Sequence, residues 1–433
     1  MMTREWHRPY DELDPGRPLP FRDRSVRLLM ASVLAIKLFL LFTEGRFDTL
    51  RPDEERNYRI AQNFDAGLGY TINGAPTAFH GSTTVFLYST LIRAGVAKKT
   101  YITIYQFLAV AVFIASIPFL FDLLLQLAVP RGPALVATTV YALYPSNLIH
   151  IGNLFNYEKL VLPMLVIVFH GLFVMVRSAG PWSLGRTVLI STAIAVSCAL
   201  RYQLVPVYGV LFITAIAAAR HVQGRWGVVR PLLVTASIST LLLGAILVPS
   251  LVKNRALFGH AFLADQSGYE MMQGHNDLAR GSWWGDWQDP NSSYARYSRE
   301  MVPGLDGMNE YEEGQARRAF AWRWIRENPG KEARLALRKL ALLFAPRNEG
   351  GGWNAVTAAV HGLFLTGLLL AAARRRWSAE TWLLLSPLIA VVLLDQVYFV
   401  GYRWRYYAEP FFILLAAQQW TLELRARRRS VTS

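Results

Sequence analysis

The stretch ITIYQFLAVAVFIASIPFLFDLLLQLA (Ile102–Ala128) decides the fold class, because Asp122 is the single charged residue within it. A helix needs about 20 mainly apolar residues to cross roughly 30 Å of hydrocarbon, and it satisfies its own backbone polar groups there. Working outward, similar tracts lie at Leu28–Phe42, Pro133–Leu148, Leu160–Val176, Leu232–Val252, Trp353–Ala373, Trp382–Val400 and Ala408–Leu422. Thr187–Ala219 is also apolar, but Arg201, Gln203 and Pro206 interrupt it. As one helix it would run about 50 Å, too long for a single span. Two short spans broken outside the bilayer near Arg201 are expected instead. The sequence therefore predicts an all-α polytopic membrane protein with about ten transmembrane helices.

Composition agrees. Of 433 residues, 53% are hydrophobic and only 17% charged, where a soluble domain is nearer one-quarter charged. The 55 aromatic residues exclude a disordered chain. Cys198 is the single cysteine, which excludes an internal disulfide, a thiolate zinc cluster and an iron–sulfur site. The formal net charge of +15 suits a nucleic-acid binder, but the long uncharged apolar runs do not, so no nucleic-acid partner is expected.

Arginine placement explains much of that charge. The segment before the first span holds Arg4, Arg8, Arg17, Arg22, Arg24 and Arg27. Alternate connections carry Arg131, Arg177 with Arg186, Arg220 with Arg225 and Arg230, Arg374 to Arg376, and Arg425 with Arg427 to Arg429. With ten spans all of these fall on one side, which the positive-inside rule makes cytoplasmic. No small-residue cleavage site follows Leu28–Phe42, so it reads as a retained span of a multi-pass protein of the plasma (bacterial inner) membrane, with both termini cytoplasmic.

The expected organisation is a cytoplasmic segment over 1–27, a membrane domain over 28–252 with a first outer loop over 43–100, an extracytoplasmic helical segment over 253–352, C-terminal spans over 353–423 and a basic tail over 424–433. Within the outer segment, Asn309–Glu327 reads as an amphipathic helix ended by Asn328-Pro329. Lys331–Phe344 reads as a second helix, with Leu335, Leu337, Leu340 and Leu342 on its apolar side. No internal repeat is present.

The chemistry-bearing stretch is Arg51-Pro52-Asp53-Glu54-Glu55-Arg56-Asn57-Tyr58, followed by Gly67-Leu68-Gly69-Tyr70, directly after the first span. Three successive carboxylates repel one another, which raises the proton affinity of at least one. Such a group serves as a general base toward a hydroxyl or as a ligand for a hard cation. The same residues also read as a solvated acidic turn opening a helix, with Asp53 as N-cap.

Asp53-Glu54, Tyr58, Ile60-Ala61 and Gly67-Leu68-Gly69-Tyr70 together resemble the first outer loop of the GT-C glycosyltransferases, in the branch containing the protein O-mannosyltransferases and the lipid A aminoarabinose transferase. Three further segments are similar to that branch in order: Asn254-Arg255-Ala256-Leu257-Phe258-Gly259 running on to Gly268 and Gly274-His275-Asn276; Glu327-Asn328-Pro329 with Lys339-Leu340 and Phe344-Ala345-Pro346; and Arg403-Trp404-Arg405-Tyr406-Tyr407-Ala408-Glu409-Pro410.

The resemblance implies a transferase moving a sugar, with inversion, from a polyprenyl-phosphate-linked donor to a lipid, glycan or protein acceptor outside the membrane. It implies Asp53 as base, with Glu54 as the fallback. The leaving phosphate needs positive charge, and Arg201, Lys253, Arg255, Arg403 and Arg405 are the outer-face candidates. Arg403 and Arg405 also read as snorkelling groups or as structural partners of Asp395. Glu158 stands where relatives carry a further acid; a local Glu158–Lys159 pair or a helix-start effect is the alternative. Asp53, Glu158 and Arg403 are expected around one cavity.

No cofactor is certain, but relatives hold a divalent metal after the first-loop helix, where an acid precedes prolines. This chain has Phe79-His80-Gly81-Ser82-Thr83 there, leaving His80 and His275 as possible ligands, or simply as polar loop residues. Lys37 and Asp122 read as a structural pair between adjacent helices. Trp283, Trp284 and Trp287 with Asp286 read as a sugar-facing cluster or, better, as interface anchors. The rival readings are a transporter or lipid flippase, for which inverted repeats are the usual sign, and a membrane scaffold indifferent to Asp53 and Arg403.

Overall fold

A computed structural model describes residues 20–44, 47, 49–50, 52–78, 82–145, 147, 157–177, 183–223, 226–264, 266–285, 289, 291–347 and 352–432. The architecture is all-α, with one two-stranded hairpin, Thr71–Ile72 against Ala75–Pro76. Among the described residues, seven helices are long and apolar enough to span a membrane. They are α1 (Arg24–Glu44), α4 (Lys98–Gln126), α6 (Glu158–Arg177), α8 (Leu204–Gln223), α9 (Trp226–Phe258), α14 (Ala355–Ala373) and α15 (Ala379–Val397). Helix α7 (Leu184–Leu200) is apolar but shorter, and the chain breaks after it at Arg201–Gln203, as the interrupted tract predicts.

The other two expected spans take different forms. The tract from Pro133 contributes α5 (Arg131–Ala142). After the short α16 (Tyr402–Arg405), the tract from Ala408 opens α17 (Glu409–Thr432), which runs straight through the expected tail. That continuation is held by Glu423, which accepts hydrogen bonds from Arg374 (3.1 Å), Arg376 (3.4 Å) and Arg427 (3.1 Å). Nearby ends are tied in the same way: Arg131 pairs with Asp23, Arg177 with Glu380 and the Gln126 carbonyl, and Arg425 donates to the Ala128 carbonyl. The arginines of alternate connections thus cap helix ends against one another.

The connections between spans carry α2 (Pro52–Asp65) and α3 (Ser82–Arg93), then α10 (Gln266–Gly274), α11 (Ser293–Met301), α12 (Glu310–Glu327) and α13 (Pro329–Leu343). Helix α2 starts with proline, whose missing N–H is no loss in a first turn, and Asp53, Glu54 and Glu55 complement the positive helix end. It stops at Gly67 (φ 77°), with Leu68 N–H bonding the Asn63 carbonyl at 2.9 Å; this left-handed position is why the Gly-Leu-Gly sequence follows the acids. Helix α12 opens with a capping box between Asn309 and Glu312.

The long segment between α9 and α14 has its own core of Tyr269, Met272, Tyr294, Tyr297, Val302 and Leu305, against which Trp284 packs while donating to the Gln273 carbonyl. Trp284 is therefore a core residue rather than an interface anchor; Trp283 is exposed, and Asp286 and Trp287 lie outside the described residues. Gly274 belongs to a close crossing: a Cβ there would sit 1.8 Å from the Tyr398 carbonyl oxygen.

Two expectations need correction. On α13 the buried side is Leu335, Lys339 and Leu343, spaced one helical turn apart, whereas Leu337 is 70% and Leu340 39% exposed. Lys37 and Asp122 do not pair. The Lys37 ammonium donates to the Asn147 carbonyl at 2.9 Å and sits 3.8 Å from the Phe113 ring centre, while Asp122 faces His170 (2.8 Å) and Gln126 on the opposite side of α4.

Candidate active site

The three acids that open α2 have three different environments. Glu55 is partly exposed and pairs with Lys98 at 2.5 Å and Arg59 at 3.7 Å. Glu54 is 3% exposed. It lies on the α2 face formed with Asn57, Ile60 and Ala61, and this face packs on Val85 and Tyr88 of α3 and on Tyr101, Ile102 and Tyr105 of α4. Asp53 is half-buried at the helix mouth, so the stretch is not a solvated turn, and Asp53 lies in the first turn rather than at the N-cap.

Glu54 accepts hydrogen bonds from Tyr88 Oη at 3.2 Å and Asn57 Nδ2 at 3.3 Å, and Tyr157 Oη donates in turn to Tyr88 Oη at 3.1 Å. Burial pushes the Glu54 carboxyl up to about 7; the Asp53 and Glu158 charges push the same way, and Arg201 opposes them. Burial also drives the Tyr88 hydroxyl well above its ordinary range, so this phenol is a donor and not a base.

Glu158, 6% exposed at the start of α6, receives a hydrogen bond from Arg201 Nη2 at 2.7 Å. An ion-pair partner of Glu158 is thus the guanidinium at the α7–α8 break, 43 residues away. Burial opposes the Arg201 charge, yet Glu158, Tyr407, Glu54 and Asp53 hold that charge firmly in place. Glu158 on α6 thus meets the arginine of the α7–α8 break directly, and the acids of α2 act on it through their charge.

Beside this cluster runs a narrow cleft of about 40 Å³ between α1, α4 and α6. Glu158, Lys159, Lys37 and Gln106 supply its polar wall, and Leu41, Val110, Phe113 and Leu162 its apolar one. Tyr406, next to the Tyr407 that faces Arg201, closes one side.

The other basic candidates fall elsewhere. Arg405 is fully buried and its donors are spent inside the protein: Nε on Glu409 (2.9 Å), Nη1 on the Leu343 (3.3 Å) and Ala345 (2.8 Å) carbonyls, Nη2 on the Arg347 carbonyl (2.5 Å). The sequence reading of Arg405 as a phosphate ligand is corrected on that ground; it ties the α13–α14 turn to α17. Lys253 donates to the Thr77 carbonyl at 3.3 Å and lies 3.4 Å over the Tyr70 ring, anchoring the hairpin loop. Arg255 is exposed on the last turn of α9, and no contact among the described residues joins it to the acids. The Arg403 side chain and all of His80 lie outside the described residues.

His275 is engaged at both ring nitrogens, Nδ1 with Glu332 (2.9 Å) and Nε2 with the Val397 carbonyl (2.9 Å), with the buried Lys339 ammonium 3.3 Å from Nε2. Burial lowers Lys339 to about 8 against the pull of Glu332 and Asp395. This network leaves no lone pair directed at a metal, so His275 is structural. Among the described residues no group of three His, Cys, Asp or Glu could hold a metal ion.

Sequence reasoning missed the Tyr88–Tyr157 pair behind Glu54, and it read Lys37 and Lys159 as partners of Asp122 and Glu158 without placing them along a cleft. The signal for the first was the density of tyrosines at 88, 101, 105 and 157. No protein-family profile matches the chain, and no curated protein matches it. Among solved structures it is similar to the archaeal oligosaccharyltransferase AglB from Archaeoglobus fulgidus, in complex with an inhibitory peptide and a dolichol-phosphate, with a TM-score of 0.47 and 13% identity over 95% of this chain. The chain spans about half of that protein, 52% of its length.

Proposed function

We propose that this chain is a membrane glycosyltransferase of the GT-C type that uses a polyprenyl-phosphate-linked sugar on the extracytoplasmic face. The observation that carries the reading is the convergence of Asp53, Glu54, Glu158 and Arg201 beside a cleft with an apolar wall. Carboxylates gathered at the level of the helix ends are costly unless they are paired or used. A lipid-linked donor presents its phosphate at that level.

Asp53, the accessible acid, takes the acceptor proton as the acceptor oxygen attacks the anomeric carbon from the face opposite the leaving group. The bond from that carbon to the phosphate oxygen breaks, and its electron pair leaves with the phosphate, which changes from diester to monoester. Arg201 neutralises the added charge, with its guanidinium held in place by Glu158. Glu54 is enclosed behind Asp53 and positions it. The acids and the arginine sit together at one face, the arrangement expected for group transfer; a transporter would want polar groups at mid-membrane and repeated halves.

The test is Asp53→Asn, with membrane abundance and thermal unfolding matched to wild type, assayed for sugar transfer from a lipid-linked donor. A loss of at least about 100-fold is expected for removal of a general base. Full retained transfer removes Asp53 from that role, and movement of lipid or solute with no new glycosidic bond favours the transporter.

A further inference from the structure

Helix α13 has three long sides. Leu335, Lys339 and Leu343 face inward. Ala333, Leu337, Leu340 and Ala341 form an exposed apolar strip, and Arg334 and Arg338 form an exposed cationic strip. At about 100° per residue these two strips adjoin, with their centres roughly 90° apart. Among the described residues neither arginine has a hydrogen-bond or ion-pair partner, whereas Lys331 at the start of the helix pairs with Asp277 at 2.7 Å.

Where the helix lies decides what covers the apolar strip. Its inward side is fixed to the end of the α15 span: Lys339 Nζ donates to the Gln396 carbonyl at 3.0 Å, and Gln396 Nε2 donates to the Ala336 carbonyl at 3.5 Å. At that end α15 turns Leu393 and Val397 outward. The last turn of α13 runs in among the spans. Leu343 belongs to the main core, and the Phe344 ring stacks on Phe364 of α14 and Phe412 of α17, with centroids 6.1 and 5.9 Å apart. Phe364 stands nine residues into α14, about 14 Å along that span. Leu337 is seven residues back from Phe344, about 10 Å along α13. Even a helix rising straight from Phe344 would bring Leu337 only about to the level where α14 starts, and Leu340 and Ala341 lie deeper. Trp353, exposed just before α14, is a side chain suited to the same level. An apolar strip flanked by cations at the ends of spans is the pattern of a helix lying in the lipid interface, with its apolar residues about 5–10 Å into the headgroup and acyl boundary. Arginine's planar fork matches phosphate oxygens there.

We propose that α13 is an interfacial helix covered by lipid, with Leu337, Leu340 and Ala341 against acyl chains and Arg334 and Arg338 on the phosphates of anionic phospholipids. It fixes the level of the segment between α9 and α14 against the bilayer. This goes beyond the glycosyl-transfer reading and does not depend on it.

Full-length Leu337→Cys, labelled with bimane in phosphatidylcholine nanodiscs, tests it, because Cys198 is buried and wild type carried through the same labelling gives the background. Brominated phosphatidylcholine in the disc should quench the label strongly. Iodide in the buffer should quench it several-fold less than the same label at Arg296→Cys, on the exposed side of α11. Brominated phosphatidylglycerol at equal mole fraction should quench more than brominated phosphatidylcholine. Arg334→Gln with Arg338→Gln should remove that excess, about fivefold in local enrichment per arginine at an anionic surface. Ala341→Cys should repeat the pattern, which keeps the test decisive if Leu337→Cys folds poorly. Quenching by iodide and not by bromolipid puts the strip in water and overturns the proposal. Protection from both quenchers means that a second copy or another protein covers the strip, and overturns it equally. Strong lipid quenching with no preference for phosphatidylglycerol overturns the role given to the arginines.

Discussion

Two guanidinium groups in the bundle, the partly buried Arg201 and the fully buried Arg405, carry the same charge in contrasting surroundings. Arg405 spends its donors on three backbone carbonyls and Glu409, four residues along the same stretch of chain. Its partners are local in space and mostly neutral, and they fix a turn. Arg201 is met by Glu158 and, at longer range, by Glu54 and Asp53, three acids from two other helices. It neutralises a cluster rather than closing a turn, and it stands at the edge of a cleft. The contrast shows that a membrane-level arginine is a candidate for chemistry when its environment is carboxylates beside open space, and a structural bracket when its environment is carbonyls.

Breaking the two sites should therefore have different consequences. Arg405→Met leaves three carbonyls and a buried Glu409 without their donor, and it should destabilise the protein by about 3–5 kcal/mol. Thermal unfolding in detergent reads this directly; a variant as stable as wild type would remove Arg405 from the bracket role. Arg201→Met should cost less stability and more activity, roughly 10²- to 10³-fold in transfer, the scale for one preorganised stabilising group. Arg201→Lys should recover part of it, because the charge returns without the two-pronged geometry. A comparable loss of stability in both arginine variants would erase the distinction.

The fold class was legible because apolar runs such as Ile102–Ala128 need no tertiary information to be recognised, and because the helix break at Arg201 coincides with the charge that causes it. Asp53, Glu54, Glu158 and Arg201 stood out as charges at helix mouths. What the letters did not carry was azimuth. Asp122 faces His170 on α6, and Lys37 looks into the cleft, although both sit on neighbouring helices at suitable depth. Leu337 and Leu340 fell on the outward side of α13 for the same reason, the buried side being set by Lys339 and its partners. His275 shows the same limit: its loop position suggested availability, and the fold saturates both nitrogens.

The finest division lies between neighbours, Asp53 and Glu54, and pH separates them. Burial lifts the Glu54 carboxyl from 4.5 to about 7, so the folded state holds a proton that the unfolded chain has already released. Stability tied to this group is present below about pH 4.5 and is lost as pH rises through 7. Glu54→Gln should then match wild type near pH 4 and exceed it by about 3 kcal/mol at pH 8, the cost of holding that enclosed carboxyl ionised. The unfolding midpoint of variant minus wild type, measured across that window, should climb with pH; a flat difference would mean that Glu54 is hydrated and not enclosed. The same variant should keep measurable transfer, because an enclosed carboxyl bonded to Tyr88 and Asn57 is badly placed to receive an acceptor proton. If Glu54→Gln abolishes transfer while Asp53→Asn does not, the base is the buried acid, and access to it must run past the tyrosines.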